Sequence, residues 1–117
     1  MTLDEILNSV SIPLEVGDTR FRLVGFSAAK VTAWNRVLYS RGPEEADVDA
    51  LLEHRESQRA RQLELMAEHM RACITEGKKA KVTAEWLSES VPQAILQDLA
   101  EWFVEGKRPA WAGEPGN

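Results

Sequence analysis

The chain has 117 residues, 44% of them apolar and 28% charged, with a formal charge of −5 and a sequence pI of about 5.1. That length suits one domain with a single core that needs neither disulfides nor metals to hold it. The negative balance argues against a general nucleic-acid or anionic-membrane surface, because neither polyanion attracts such a domain.

Cys73 is the lone cysteine, so an intrachain disulfide is impossible and a reducing, cytoplasmic home is expected. No apolar run approaches the roughly 18 residues needed to cross a bilayer. The stretch MTLDEILNSV has two acids and no Lys or Arg before its first apolar cluster, unlike a secretory signal. Within it, Thr2-Leu3-Asp4-Glu5 fits a capping box, and Leu3, Ile6, Leu7 and Val10 recur at helical spacing.

SIPLEVGDTRFRLVG predicts a β-hairpin over residues 11–24. With Gly17-Asp18 as a two-residue loop, Leu14 faces Phe21, Ile12 faces Leu23 and Glu15 sits opposite Arg20. Pro13, which lacks a donor N–H, confines its strand to an edge. The apolar face then has to lie against helices, since a lone hairpin is marginal in water.

Ser27 caps a helix predicted over 28–40, with Val31, Trp34, Val37 and Leu38 on one stripe. A second helix is predicted over 44–76. Its early acids Glu44, Glu45, Asp47 and Asp49 suit the positive end of the dipole, and Val48, Leu51 and Leu52 are expected to bury. The stretch 53–62 has only Ala60 as an apolar residue, but no Gly or Pro interrupts it, so a continuous helix is favoured over a break. Leu63, Met66, Met70, Cys73 and Ile74 resume the stripe, and Gly77 is the expected stop.

Beyond the basic stretch KKAK, Thr83 caps a short helix over 84–89. Ser90 is the expected cap of another over 91–105, with Pro92 in its first turn and Gly106 at its end. The tail 107–117 is rich in Pro and Gly and is expected to be flexible. The whole reads as a mainly α protein with a small N-terminal β-hairpin, one α+β domain over 1–106.

The chemistry-bearing residues are few. The outer side of the last helix presents Gln93, Gln97, Asp98, Glu101 and Glu105, too acidic to lie on a phosphate backbone. His69 and Cys73 are four residues apart with Glu68 beside them, but a closed zinc site needs about four ligands. His54 lies about four helical turns away and cannot converge with them. Cys73 with His69 as its base is a conceivable nucleophile, though its apolar stripe favours core. No phosphate loop, nucleophile elbow or H-E-x-x-H occurs. The expectation is a non-enzymatic protein without metal or cofactor. The basic run Lys78–Lys81 reads as a solvated helix end or loop. The closing helix pair is unusually apolar. Trp86, Leu87, Ile95, Leu99, Trp102 and Phe103 are either core or, where they exceed what a small domain can hide, a protein-docking patch.

Taken together, IPLEVGDTRFRL, the Trp-bearing helix SAAKVTAWNRVL and the closing VTAEWLSESVPQAILQDLAEWF resemble the tail assembly chaperones of long-tailed bacteriophages and related prophages. The likeness covers about two-thirds of the chain and excludes 44–76. The last piece is similar to the Thr-x-Glu-Trp-Leu step and Leu-rich helix of that family. The resemblance implies a protein that keeps the tape-measure protein soluble and recruits tail-tube subunits in the host cytoplasm, and that is missing from the mature virion. The same residues also suit a helical structural adaptor or homo-oligomeric scaffold, or a regulatory protein-binding module.

Overall fold

The computed structural model of the chain describes residues 10–42, 44 and 47–113. The capping box at Thr2–Glu5 and the apolar positions Leu3, Ile6 and Leu7 lie outside them. The architecture is mostly helical, with a small antiparallel sheet near the N-terminus.

Strands β1 (Ser11–Val16) and β2 (Thr19–Val24) pair in the expected register, with Leu14 opposite Phe21, Ile12 opposite Leu23 and Glu15 opposite Arg20. Gly17 turns the chain at φ +60° while no non-glycine residue among those described has positive φ. That matches a primed turn with glycine in its first central position, whose twist follows that of the strands. Ile12, Phe21 and Leu23 are buried on one face. On the other, Arg20 sits 3.4 Å from both Glu15 and Glu76.

Helix α1 (Ala28–Leu38) starts where Ser27 Oγ accepts the Lys30 N–H. It stops two residues before the expected end. The Gln58 side-chain amide donates to the carbonyls of Val37 and Leu38, which satisfies acceptors that another turn would otherwise have used.

Helix α2 (Val48–Ala72) is continuous through the polar 53–62 stretch. It begins later than Glu44 because Asp47 serves as the cap, its carboxylate accepting the Ala50 N–H at 2.7 Å. It also ends earlier than expected. Residues 74–76 are not helical: Ile74–Glu76 form a third strand, β3, antiparallel to β2. The Arg22 N–H donates to the Cys73 carbonyl at 2.9 Å and Thr75 Oγ1 donates to the Arg20 carbonyl at 3.2 Å. β-branched Ile74 and Thr75 suit the sheet better than a last helical turn. Gly77, at φ +111°, packs so tightly on Thr19 that a Cβ there would lie 3.0 Å from Thr19 Oγ1.

The chain then makes a 3₁₀ turn (Lys79–Lys81), and Lys81 Nζ sits 3.0 Å from Asp18 Oδ1, beside the hairpin turn. The hydrogen bond and charge of Lys81 hold the Asp18 carboxyl below its usual value. Thr83 caps α3 (Ala84–Ser90) as expected, accepting the Trp86 N–H. Ser90 does not cap the next helix. Val91 is extended, Pro92 stands at the cap, and α4 runs Gln93–Glu105. The physical reason is Pro92: its ring disfavours helical geometry in the residue before it, which overrides the Ser90 signal. Gly106 closes α4 in the left-handed region at φ +72°.

Residues 107–113 fold back rather than trail as a loose tail. A second 3₁₀ turn (Ala110–Ala112) buries Ala112, Arg108 donates to the carbonyls of Ser11 and Gly113, and the Trp111 indole N–H donates to Asp98. One cationic side chain and one aromatic anchor offset the Pro and Gly content.

The core lies where α2, α3 and α4 meet the sheet. Met66, Ala67, Met70, Leu87, Leu96, Leu99, Trp102 and Phe103 pack with Ile12, Phe21 and Leu23. Two polar contacts tie α4 to β2 and its exit. The Trp102 indole N–H donates to the Leu23 carbonyl at 3.0 Å, and the Phe26 N–H donates to the Phe103 carbonyl at 2.8 Å.

Candidate functional site

The six residues of the closing pair do not form one surface. Leu87, Leu99, Trp102 and Phe103 are each at most 6% exposed and belong to the core. Their expected docking role is corrected by the depth at which the sheet and α2 cover them. Trp86 and Ile95 are half-buried at the core's margin, with the Trp86 ring 6.2 Å from that of Phe21. Trp34 is buried and Trp111 is partly exposed.

The accessible apolar surface lies elsewhere, between α1, α2 and α4. A groove of about 420 Å³ there has a floor of Trp34, Leu38, Leu63, Met66, Leu96 and Ala100, rimmed by Arg59, Gln62, Gln93 and Gln97. Arg59 donates to the Gln93 side-chain carbonyl across one end. Every floor residue is apolar and every rim residue is a polar side chain able to bond to a backbone or a polar flank. This explains what the exposed side of α4 does: Gln93 and Gln97 border the groove, while Asp98 and Glu101 engage Trp111 and Lys107.

The groove follows from helix direction. α4 begins beside Arg59 and runs the same way as α2, so that Leu96 and Ala100 come level with Leu63 and Met66. α1 runs against α2 and ends beside it, with the Ser40 carbonyl 3.3 Å from His54 Nε2. At the N-terminal end of α2 only the end of α1 accompanies it among the described elements. There Val48, Leu51 and Leu52 are 71%, 42% and 50% exposed, contrary to the burial expected of them, and Leu38 and Tyr39 at the end of α1 are exposed as well. On α2 these positions share a stripe with Arg55, Arg59, Gln62 and Met66. The stripe that is buried at Met66 therefore continues outward uncovered. Helical period alone predicts one face; it does not say where the neighbouring helices stop, and that is why sequence reasoning missed this surface.

His69 is 4% exposed, the most secluded titratable side chain in the core region. Its Nε2 lies 2.8 Å from the Val24 carbonyl and its Nδ1 lies 2.7 Å from Lys30 Nζ. Since a carbonyl only accepts and an ammonium only donates, the ring is neutral with its proton on Nε2. Phe26 and Phe103 meet the imidazole edge-on with centroids 4.8 and 5.0 Å away. Burial, and secondarily the Lys30 charge, lower its pKa from the usual value, against the Val24 hydrogen bond that raises it. Cys73 Sγ lies 3.9 Å from His69 Nε2, but that nitrogen's proton is committed to Val24. This geometry leaves the imidazole without a free basic nitrogen to activate the thiol. His54 lies by the end of α1, far along α2 from His69. Among the described residues, no three His, Cys, Asp or Glu side chains come together in a metal-binding group, and no helix is long and apolar enough to cross a membrane.

Comparison with protein-family models, curated proteins and solved structures returns no match to this chain.

Proposed function

We propose that the groove between α1, α2 and α4 receives an amphipathic helical segment of another protein, and that the chain works by binding rather than by catalysis. The observation that carries this reading is the pairing of a continuous apolar floor (Trp34, Leu38, Leu63, Met66, Leu96, Ala100) with a polar rim. That is the form in which helix-in-groove recognition is usually built. The exposed apolar residues beyond the groove add to the surface that a long apolar chain would cover.

The narrower proposal is a tail assembly chaperone of a long-tailed phage or prophage. It holds the tape-measure protein soluble and recruits tail-tube subunits, acting in the host cytoplasm and leaving the finished virion without it. The support is the resemblance in the hairpin, the Trp34 helix and the Thr83–Leu87 step. A tape measure is a long helical chain with much apolar surface, which is the chemistry that this groove accepts. The net charge of −5 keeps the carrier itself dispersed.

Co-expression with a tape-measure protein tests the proposal. The partner is expected in the soluble fraction with the wild-type chain and in the insoluble fraction with a Leu38→Glu, Leu63→Glu variant that retains its helical circular dichroism. Equal insolubility of the partner with and without the wild-type chain refutes the chaperone reading.

A further inference from the structure

We propose that the His69–Lys30 contact is an acid-sensitive catch: protonation of His69 releases α1 from α2 while the sheet, α2 and α4 stay folded. The release is independent of what occupies the groove.

Every element packed on the imidazole enters the argument. The end of β2 supplies the Val24 carbonyl, which takes the Nε2 proton. Phe26, just beyond β2, and Phe103 of α4 meet the ring edge-on and have no charge. Arg22 alternates onto the other face of β2. On α2, the Cys73 thiol lies 3.9 Å from Nε2, and Glu68 borders a cavity of about 230 Å³ beside the ring. From α1 comes Lys30, whose ammonium is 2.7 Å from Nδ1 and lines the same cavity. Its recorded side-chain bond is to His69, not to Glu68.

A proton added to His69 has to go on Nδ1, and that nitrogen then becomes a donor facing another donor, each of them positive. Turning the ring over gives no relief, because an imidazolium donates at both nitrogens. The ammonium has to leave, and Glu68 is the carboxylate that receives it.

The element that yields is α1, because it is the least anchored of those around the ring. Trp34 is its only buried residue, whereas α2 and α4 each bury four. Cavities of about 230 and 380 Å³ separate parts of α1 from α2, and the groove of about 420 Å³ opens on its other side. Few apolar contacts and adjoining voids mark a segment that opens before the rest. Trp34 and Leu38 leave with α1, so the groove loses one wall in acid. That consequence alone rests on the proposed helix binding.

The tryptophan indoles report the release without any partner. The full chain is titrated from about pH 7.5 to about pH 4.5, across the ordinary histidine range, and followed by nuclear magnetic resonance. The Trp34 indole and Leu38 methyl signals are expected to move to solvent-exposed positions in step with the His69 ring. The Trp102 indole is expected to keep its cross-peaks to β2. In His69→Gln the Trp34 signal is expected to be independent of pH. Lys30→Glu offers the imidazolium an acceptor, so His69 is expected to titrate about one pH unit or more higher, and α1 is expected to be held more firmly in acid than at neutral pH. A Trp34 signal that stays fixed while His69 titrates overturns the proposal, as does a His69 ring that never titrates. Simultaneous loss of the Trp34 and Trp102 native signals overturns local release, and a Lys30→Glu variant with the wild-type direction overturns the role of Lys30.

Discussion

Replacing Trp102 with alanine tests whether the closing helix holds the fold together or is spare surface. The side chain is 6% exposed and its indole N–H bonds to the Leu23 carbonyl at 3.0 Å. A tryptophan buries roughly 200 Å², and large-to-small changes at such sites cost about 3–5 kcal/mol. Leaving the buried Leu23 carbonyl without its indole donor adds about 1–3 kcal/mol. Trp102→Ala is therefore expected to remove about 4–8 kcal/mol, a large share of the roughly 5–15 kcal/mol that holds a domain of ordinary stability. Trp102→Phe keeps a ring but lacks the donor and is expected to lose about 1–3 kcal/mol. Urea titration followed by far-ultraviolet circular dichroism gives both values from the midpoint, with the slope unchanged. The reasoning is refuted if Trp102→Ala melts within about 1 kcal/mol of the wild type, since a core contact of this size cannot be that cheap.

Three further outcomes follow from single sites. His69 is held neutral with a lowered pKa, so the unfolded chain binds its proton more readily than the folded one. Its contribution is fully present above the unfolded value of about 6.5 and is lost as pH falls from there through the folded value. The wild type is expected to lose urea resistance over that window, and His69→Gln to show a shallower dependence; equal slopes contradict the assignment. Gly77→Ala meets Thr19 at 3.0 Å from a backbone at φ +111°, and is expected to lose about 1–3 kcal/mol in thermal or urea melts. Gly17→Ala has open space at φ +60° and is expected to lose about 1 kcal/mol; a larger loss at Gly17 than at Gly77 would reverse the argument.

The hairpin was legible because three independent signals coincided: Gly17-Asp18 as a turn, apolar residues two apart on each strand, and Glu15 opposite Arg20. Continuity of α2 through 53–62 was legible from the lack of any breaker. The third strand was not, since Cys73 and Ile74 fit the helical stripe as well as they fit a strand, and only pairing with β2 decides between them. At Ser90 and Pro92 two start signals competed, and the backbone restriction before proline prevailed. The core role of Leu87, Leu99, Trp102 and Phe103 against a docking role depended on what covers them, which is a property of the tertiary arrangement. The same holds for the groove and for exposed Val48, Leu51 and Leu52. Arg108 and Trp111, inside a Pro- and Gly-rich segment, give no local sign that their partners are the Ser11 carbonyl and Asp98.

The central claim is that the surface between α1, α2 and α4 binds a helix. Titrating the isotopically labelled chain with an amphipathic helical peptide from a tape-measure protein tests it most directly. Saturable shifts are predicted for the Trp34 indole, the Met66 methyl and the methyls of Leu38, Leu63 and Leu96, while the sheet residues Ile12 and Leu14 stay still. A spectrum unmoved at millimolar peptide, or shifts confined to the sheet face, would contradict it.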